Sequence, residues 1–156
     1  MSNDSAPEAL TPIPKLPEPC PPPAEAKALI GTWQLIQTRF SPKAHEIRGQ
    51  NPVGIISYDA NGYMAVQIVP DRPQRPFKSY PPSPQEAFDA IYGYAAYFGT
   101  YSVDWAKQTV THHRVFMIPP TTRSELVRRF QFLDENVIEL RPLESENVLV
   151  WQKLSP

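Results

Sequence analysis

The feature that most constrains how this chain can fold is a succession of short segments in which apolar and polar residues alternate. Alternation with a period of two is typical of a β-strand that has one buried and one solvated face. Eight such segments follow one another, at residues 31–40, 53–58, 63–69, 101–104, 108–117, 125–133, 137–141 and 147–154. The sequence therefore predicts a mainly β domain of eight strands.

The links between these segments indicate the topology. Most are short, and the link at 59–62 contains Asn61-Gly62, a strong hairpin signal. Parallel strands would need a crossover of a dozen or more residues at every step. We predict an eight-stranded antiparallel up-and-down β-barrel, because closure leaves no edge strand and eight strands can enclose one small ligand. A two-sheet sandwich is the alternative that the pattern leaves open.

One helix is predicted between the third and fourth strands, over residues 84–98. Ser83 is placed as its N-cap, with Pro84 at the first helical position and Glu86 completing a capping box. The apolar residues recur at three- and four-residue steps, namely Phe88, Ile91, Tyr92, Ala95 and Phe98. We expect this stripe to pack on the rest of the domain. Residues 41–52 are predicted to form a loop.

The N-terminal segment differs from the rest in its proline content. Eight of the 20 prolines precede residue 24, and proline neither propagates a helix nor pairs inside a sheet. We predict a disordered or polyproline-type arm over residues 1–25 and a globular domain over residues 26–156. The arm is either a solvated tail or a ligand for a proline-binding domain.

Charge and hydropathy argue against several classes of partner. The formal net charge is −1, which gives no basic field for nucleic acid or an anionic membrane surface. No apolar run approaches the roughly 20 residues that span a bilayer. The first residues resemble no secretory signal, and the lone Cys20 fits a reducing compartment. We therefore expect a cytoplasmic protein that binds neither nucleic acid nor membrane.

The sequence also argues against a cofactor or a metal. It has no glycine-rich phosphate loop and no Gly-x-Ser-x-Gly elbow. A metal site needs three or four convergent ligands. The adjacent His112 and His113 point to opposite faces of a strand, and His45 lies in a distant loop. No cofactor and no metal site are predicted.

Several motifs resemble one known family. Gly31-Thr32-Trp33 at the start of the first strand resembles the Gly-x-Trp signature of lipocalins. Further stretches, in order, resemble the microbial and fungal lipocalin-like domain family: residues 29–35 (Leu-Ile-Gly-Thr-Trp-Gln-Leu), 62–64 (Gly-Tyr-Met), 96–101 (Ala-Tyr-Phe-Gly-Thr-Tyr), 109–113 (Thr-Val-Thr-His-His) and 128–130 (Arg-Arg-Phe). The resemblance extends from residue 28 to about residue 153.

This resemblance implies a lipocalin-like β-barrel and a small, largely apolar ligand. It also implies that Trp33 packs inside the closed end, covered by a basic residue, which could be Lys153 or Arg128. Some related barrels act as cyclases or isomerases on polyketide- or terpenoid-like substrates, although a fold does not by itself determine a function.

The clearest candidates for chemistry are His112 and His113. Only one of them can enter the barrel, because successive strand residues face opposite sides. Val115 and Met117 share the face of His113, whereas Val110 and Phe116 share that of His112. We favour His113 as the inward residue and keep His112 as the alternative. An inward imidazole could move a proton during an isomerisation or cyclisation.

Arg128 is the third predicted catalytic residue. It alternates with Leu126, Phe130 and Phe132 and so is expected to face inward. It is either a structural cation stacked on Trp33 or Trp151, or an anchor for a ligand carbonyl.

Aromatic side chains are the predicted ligand contacts, because a ring with a polar tip can line a pocket. They are Trp33, Tyr63, Tyr94, Tyr97, Tyr101 and Phe130. His45 and Arg48, in the first loop, could also meet a ligand at the open end.

Three functions follow from these observations. The first is a cofactor-free isomerase or cyclase of specialised metabolism, using His113 or His112, a tyrosine or Arg128. The second is a non-catalytic carrier of an apolar metabolite, and the third an interaction protein that uses the proline-rich arm. Small barrels often form homodimers, and nothing in the sequence decides whether this one does.

Overall fold

The computed structural model describes residues 15–154. Its eight strands are β1 (Gly31–Arg39), β2 (Val53–Tyr58), β3 (Tyr63–Val69), β4 (Ala95–Asp104), β5 (Thr109–Ile118), β6 (Glu125–Asp134), β7 (Val137–Pro142) and β8 (Val148–Lys153). Two short α-helices, α1 (Pro42–Arg48) and α2 (Pro84–Ile91), follow β1 and β3, and a 3₁₀ helix (Ala24–Leu29) precedes β1.

The strands form a closed barrel in which each pairs antiparallel with the next and β8 pairs with β1. The predicted up-and-down topology is thus confirmed, with a helix between the third and fourth strands. Within residues 15–154, no helix has the length and apolar character needed to cross a bilayer.

Trp33 marks the closed end of the barrel. Its side chain is fully buried, and its indole N–H donates to the Leu29 carbonyl, 3.0 Å away. The Lys153 ammonium lies 4.8 Å from the centroid of a Trp33 ring and donates to the Ala28 carbonyl at 2.8 Å. Lys153 therefore covers Trp33, and the stacking of Arg128 on Trp33 that we considered is wrong.

The second helix is shorter than predicted. The capping box of Ser83 and Glu86 is present, but α2 ends at Ile91 instead of residue 98. Gly93 breaks it with a φ of +78°, and the chain then enters β4, where Ala95 pairs with Ile68 of β3. The three-residue spacing of Tyr92, Ala95 and Phe98 is typical of one face of a helix, which is why a longer helix was predicted. Pairing with two neighbouring strands overrides that local preference.

The apolar stripe of α2 does not pack on the barrel as expected. No residue of α2 is buried, and Phe88 and Ile91 are each about half exposed. The residues with the helical spacing are thus divided between an exposed helix and a strand.

The loop predicted at 41–52 contains α1. The Ser41 hydroxyl accepts from the Ala44 N–H at 3.3 Å, and Gly49 ends the helix. This helix lies at the open end of the barrel, where β1 ends and β2 begins.

The predicted N-terminal arm lies partly outside the described residues. Residues 15–23 have no regular secondary structure, and the chain passes beside the β2–β3 turn. A Cβ placed on Gly62, whose φ is +103°, would lie 2.6 Å from the Cys20 carbonyl oxygen. The assignment of residues 1–25 as an arm stays a prediction.

Candidate functional site

His112 lies inside the barrel, and His113 lies outside. The His112 side chain is only 1% exposed and contacts Tyr58 and Tyr97. His113 pairs with Thr100 and Glu125 on the outer face. The expectation that His113 faces inward is therefore wrong.

A β-bulge at Val115 explains the error. Arg114 pairs with Gly99, yet Phe116 pairs with Phe98, so Val115 has no partner in β4. The extra residue exchanges the two faces of β5 at that point. Met117 pairs with Tyr97, whose hydroxyl contacts His112, so Met117 and His112 both point inward. Their odd spacing would place them on opposite faces of a regular strand.

The central feature of the interior is a hydrogen-bonded chain of three side chains. The Tyr58 hydroxyl lies 2.7 Å from Nε2 of His112, and the Tyr97 hydroxyl lies 2.8 Å from Nδ1. Burial, followed by the charges of Arg128 and Arg114, holds the pKa of His112 well below its ordinary value. The imidazole is therefore neutral near pH 7, with one nitrogen donating and the other accepting.

Burial also keeps the two phenols protonated. It raises the pKa of Tyr58 well above its ordinary value, and it raises that of Tyr97. The positive charge of Arg128 opposes the rise in the pKa of Tyr97. The Tyr97 hydroxyl thus contacts a neutral imidazole and lies in the field of the Arg128 guanidinium.

Two more arginines lie close to Tyr97. The Arg114 guanidinium carbon is 5.1 Å from the centroid of the Tyr97 ring. Arg48, at the end of α1, donates to the Gly93 carbonyl at 2.9 Å, and its charge is felt by both Tyr97 and Arg128. We call Arg48, Arg114 and Arg128 the arginine cluster.

Three buried polar atoms have no hydrogen-bond partner in the part of the chain that the structure describes. They are Oγ1 of Thr38, Nε of Arg114 and Nε1 of Trp151. Thr38 pairs with Leu149 and Trp151 pairs with Leu35, on the inward face of β1 and β8. An unpaired buried polar atom costs about 1–3 kcal/mol, so each of these atoms lowers the stability of the barrel.

The other predicted ligand contacts are divided between the closed end and the outside. Tyr101 and Phe130 are buried below His112, and the Tyr101 hydroxyl donates to the Asp59 carbonyl at 2.6 Å. Tyr63 lies on the outer face. Tyr94 contacts Gln67 and lines an open cleft of about 1370 Å³ outside the barrel, beside α2. Only Tyr97 and Arg128 join His112 at the chain.

His113 belongs to a hydrogen-bonded row on the outer surface. Its Nε2 lies 2.9 Å from the Ser102 hydroxyl, and its Nδ1 lies 3.0 Å from the Glu125 carboxylate. The row crosses β4, β5 and β6 and therefore ties three strands together.

Sequence reasoning missed Tyr58 and Arg114 as members of the site. Tyr58 was placed at the end of a strand with no assigned face, although its alternation with Ile56 was a usable signal. Arg114 shares the face of His112, but the bulge at Val115, which a period of two does not reveal, made that face resemble the outer one. Among residues 15–154, no cluster of three His, Cys, Asp or Glu side chains could hold a metal ion.

Comparison with known proteins identifies the family. The model of the lipocalin-like domain matches residues 30–154, which is most of the chain. The chain belongs to the lipocalin-like domain family. The resemblance stated from Gly31-Thr32-Trp33 and the later motifs is thereby confirmed, and membership is consistent with small-molecule binding. A search of curated proteins finds no match.

A solved structure shows some similarity to this lipocalin-like protein. It is a DUF4847 family protein from Bacteroides vulgatus ATCC 8482, with 16% sequence identity and a TM-score of 0.44. The similarity covers 82% of this chain and 95% of that one.

Proposed function

We propose that this protein is a cofactor-free isomerase or cyclase that binds a small polyketide- or terpenoid-like molecule in its barrel. The observation that carries the proposal is the hydrogen-bonded chain Tyr58–His112–Tyr97 inside the barrel. A buried polar chain of this kind costs desolvation energy, and a core needs none for stability. Arg114, whose guanidinium lies over the Tyr97 ring, has an unpaired Nε, which supports a role of the chain toward a bound molecule.

The chemistry centres on the Tyr97 hydroxyl. If Nε2 of His112 accepts from Tyr58, the Nδ1–H donates to the Tyr97 oxygen, and the Tyr97 proton is free to reach a ligand oxygen. The Tyr97 proton moves to a carbonyl oxygen of the ligand, and the Tyr97 phenolate takes a proton from the adjacent carbon, so that the enol forms and Tyr97 is restored. Arg128 and the His112 N–H stabilise the Tyr97 phenolate. Tyr97 acts on the ligand, and His112 is a positioning residue.

A carrier without catalysis is the second candidate. Both nitrogens of His112 are occupied by tyrosines, so the imidazole itself does not reach a ligand. The closed end is filled by Trp33, Tyr101 and Phe130. In a carrier, the same chain would fix the shape of the site and would move no proton.

The test compares metabolites from cells that lack the gene and carry either wild type, Tyr97→Phe or the control Tyr63→Phe. Tyr63 is a partly exposed outer tyrosine, so its variant makes the same chemical change away from the site. We expect the deletion to lose a product and accumulate its precursor. Tyr97→Phe should slow conversion by about 100-fold or more, while Tyr63→Phe restores it.

The outcomes separate the candidates. Full restoration by Tyr97→Phe would leave only the carrier. A metabolite profile that the deletion leaves unchanged would contradict both.

A further inference from the structure

The arginine cluster places positive charge without any matching acid. None of the ion pairs among residues 15–154 includes Arg48, Arg114 or Arg128. The charged and titratable groups that act on Arg114 are Tyr97, Arg128 and Arg123. Arg48 is influenced by Tyr97 and Arg128.

The acids of the neighbouring strands face away from the interior. Glu125 of β6 pairs with His113 on the outer surface. Glu139 of β7 is bound between Arg39 and Arg141, also outside. The cluster is therefore not neutralised from the sheet around it.

The cations oppose one another. The charge of Arg128 lowers the pKa of both Arg48 and Arg114, after the larger effect of burial. Two charges of the same sign at close range are unfavourable, and more so where water is partly excluded.

Structural roles account for only part of the arrangement. Arg48 holds the Gly93 carbonyl and Arg114 holds the Arg123 carbonyl, which neutral amides could also do. The Nε of Arg114 is buried and unpaired. Arg128 faces the interior of the barrel, where it pairs with the buried Val110 of β5. Donors therefore remain for a further acceptor.

We propose that the ligand of this barrel is an organic carboxylate, whose carboxylate group is bound by Arg128 and Arg114 beside Tyr97. Guanidinium groups bind carboxylates through paired, charge-assisted hydrogen bonds, which would also remove the mutual repulsion of the cluster. The inference rests on the proposed function, because it names the substrate class of the same site.

The apolar part of the ligand has a matching surface. Ile68 pairs with Ala95, Leu126 pairs with His112 and Leu149 pairs with Thr38, so these aliphatic side chains share the inward face. The closed end below is already filled. The apolar body of a carboxylic acid held at the arginine cluster would contact these aliphatic side chains.

The test uses two probes that differ only in charge at the head group, 2-naphthoate and 2-naphthamide. Their affinities for the full chain are measured by isothermal titration calorimetry for wild type, Arg128→Gln, Arg114→Gln and Arg129→Gln. Arg129 is the matched control, because it is adjacent to Arg128 in β6 and exposed on the outer face.

We expect wild type to bind naphthoate at least tenfold more tightly than naphthamide. Arg128→Gln and Arg114→Gln should each weaken naphthoate about tenfold and change naphthamide by less than twofold, whereas Arg129→Gln changes neither (a tenfold change is 1.4 kcal/mol). Two substitutions are used so that one poorly folded variant does not decide the result.

Two results would overturn the inference. Equal binding of both probes, or equal losses in Arg128→Gln and Arg129→Gln, would refute the carboxylate site and leave the proposed small-molecule function standing. Failure of wild type to bind either probe would count against both the carboxylate site and an accessible interior.

Discussion

At the scale of single residues, folding transfers the neutral His112 from water into the interior of the barrel. Burial lowers its pKa well below the ordinary value of 6.5. Below pH 6.5 the unfolded chain takes up a proton that the folded chain does not, so stability falls as the pH falls. Above pH 6.5 His112 is neutral in both the folded and the unfolded chain, so it no longer makes the stability depend on pH.

The prediction is a histidine-dependent loss of stability in acid. The free energy of unfolding should fall by up to about 1.4 kcal/mol per pH unit below pH 6.5, and His112→Gln should remove this slope. His113→Gln, on the outer face, is the matched control and should retain it. Urea unfolding from pH 7.5 to 5 measures the effect, and an unchanged slope in His112→Gln would contradict the assignment.

Alternation along the sequence predicted which side chains face inward in β6 but not in β5. Arg128 and Phe130 face inward as their alternation predicts, because β6 is regular up to Phe132. The choice between His112 and His113 failed because one unpaired residue, Val115, exchanges the faces. A bulge depends on the partner strand, so local periodicity cannot place it.

At the scale of elements, the connection between α2 and β4 depends on Gly93. A Cβ at this position would collide with the Ile47 carbonyl oxygen of α1, and the positive φ disfavours other residues. The same connection supplies the carbonyl that Arg48 binds. Since Arg48 belongs to the arginine cluster, the position of that cluster depends on where α2 ends.

Gly93→Ala should therefore destabilise the protein by about 1–3 kcal/mol. Ala90→Gly, three residues earlier in the exposed α2, is the comparison. It weakens a helix that buries no residue, so the global unfolding free energy should change by less than about 0.5 kcal/mol. Chemical denaturation compares them, and an equal loss in both variants would show that α2 is coupled to the barrel.

The length of α2 could not be read from the sequence for a related reason. Its start is local, since Ser83, Pro84 and Glu86 together form the cap. Its end depends on β4 pairing with both β3 and β5, which are contacts between distant parts of the chain.

At the scale of the whole molecule, closure of the barrel is reinforced on the outside by Glu139. Its carboxylate accepts from Arg39 of β1, across β8, at 2.5 Å and from Arg141 of its own strand at 2.8 Å. The side chain is 6% exposed, while both arginines are about half exposed. Hydrogen bonding from Arg141 is the main cause of a lowered pKa at Glu139.

Glu139→Gln should cost about 1 kcal/mol of stability at pH 7. The folded-state pKa is depressed, so the contribution is present above the ordinary value of 4.5 and disappears as the pH falls through the folded value. Glu144→Gln, which removes an exposed pair with Arg123, should cost little. Thermal unfolding at pH 7 and pH 3 tests this, and equal losses at both pH values would contradict it.

The topology of the whole barrel was predictable because it follows from local features. Short links force sequence neighbours to pair, and eight amphipathic strands bury their edges by closing. The site was less predictable. Tyr58, Tyr97, Arg114 and His112 come from β2, β4 and β5, and only the register of those strands brings them together.

The most direct test is native mass spectrometry of the full chain purified from its own source, followed by analysis of any molecule released on denaturation. The predicted result is a bound small acid that is present in wild type and Arg129→Gln and absent from Arg128→Gln. A wild-type protein that carries only its bare mass would contradict the claim that the barrel holds a ligand at the arginine cluster.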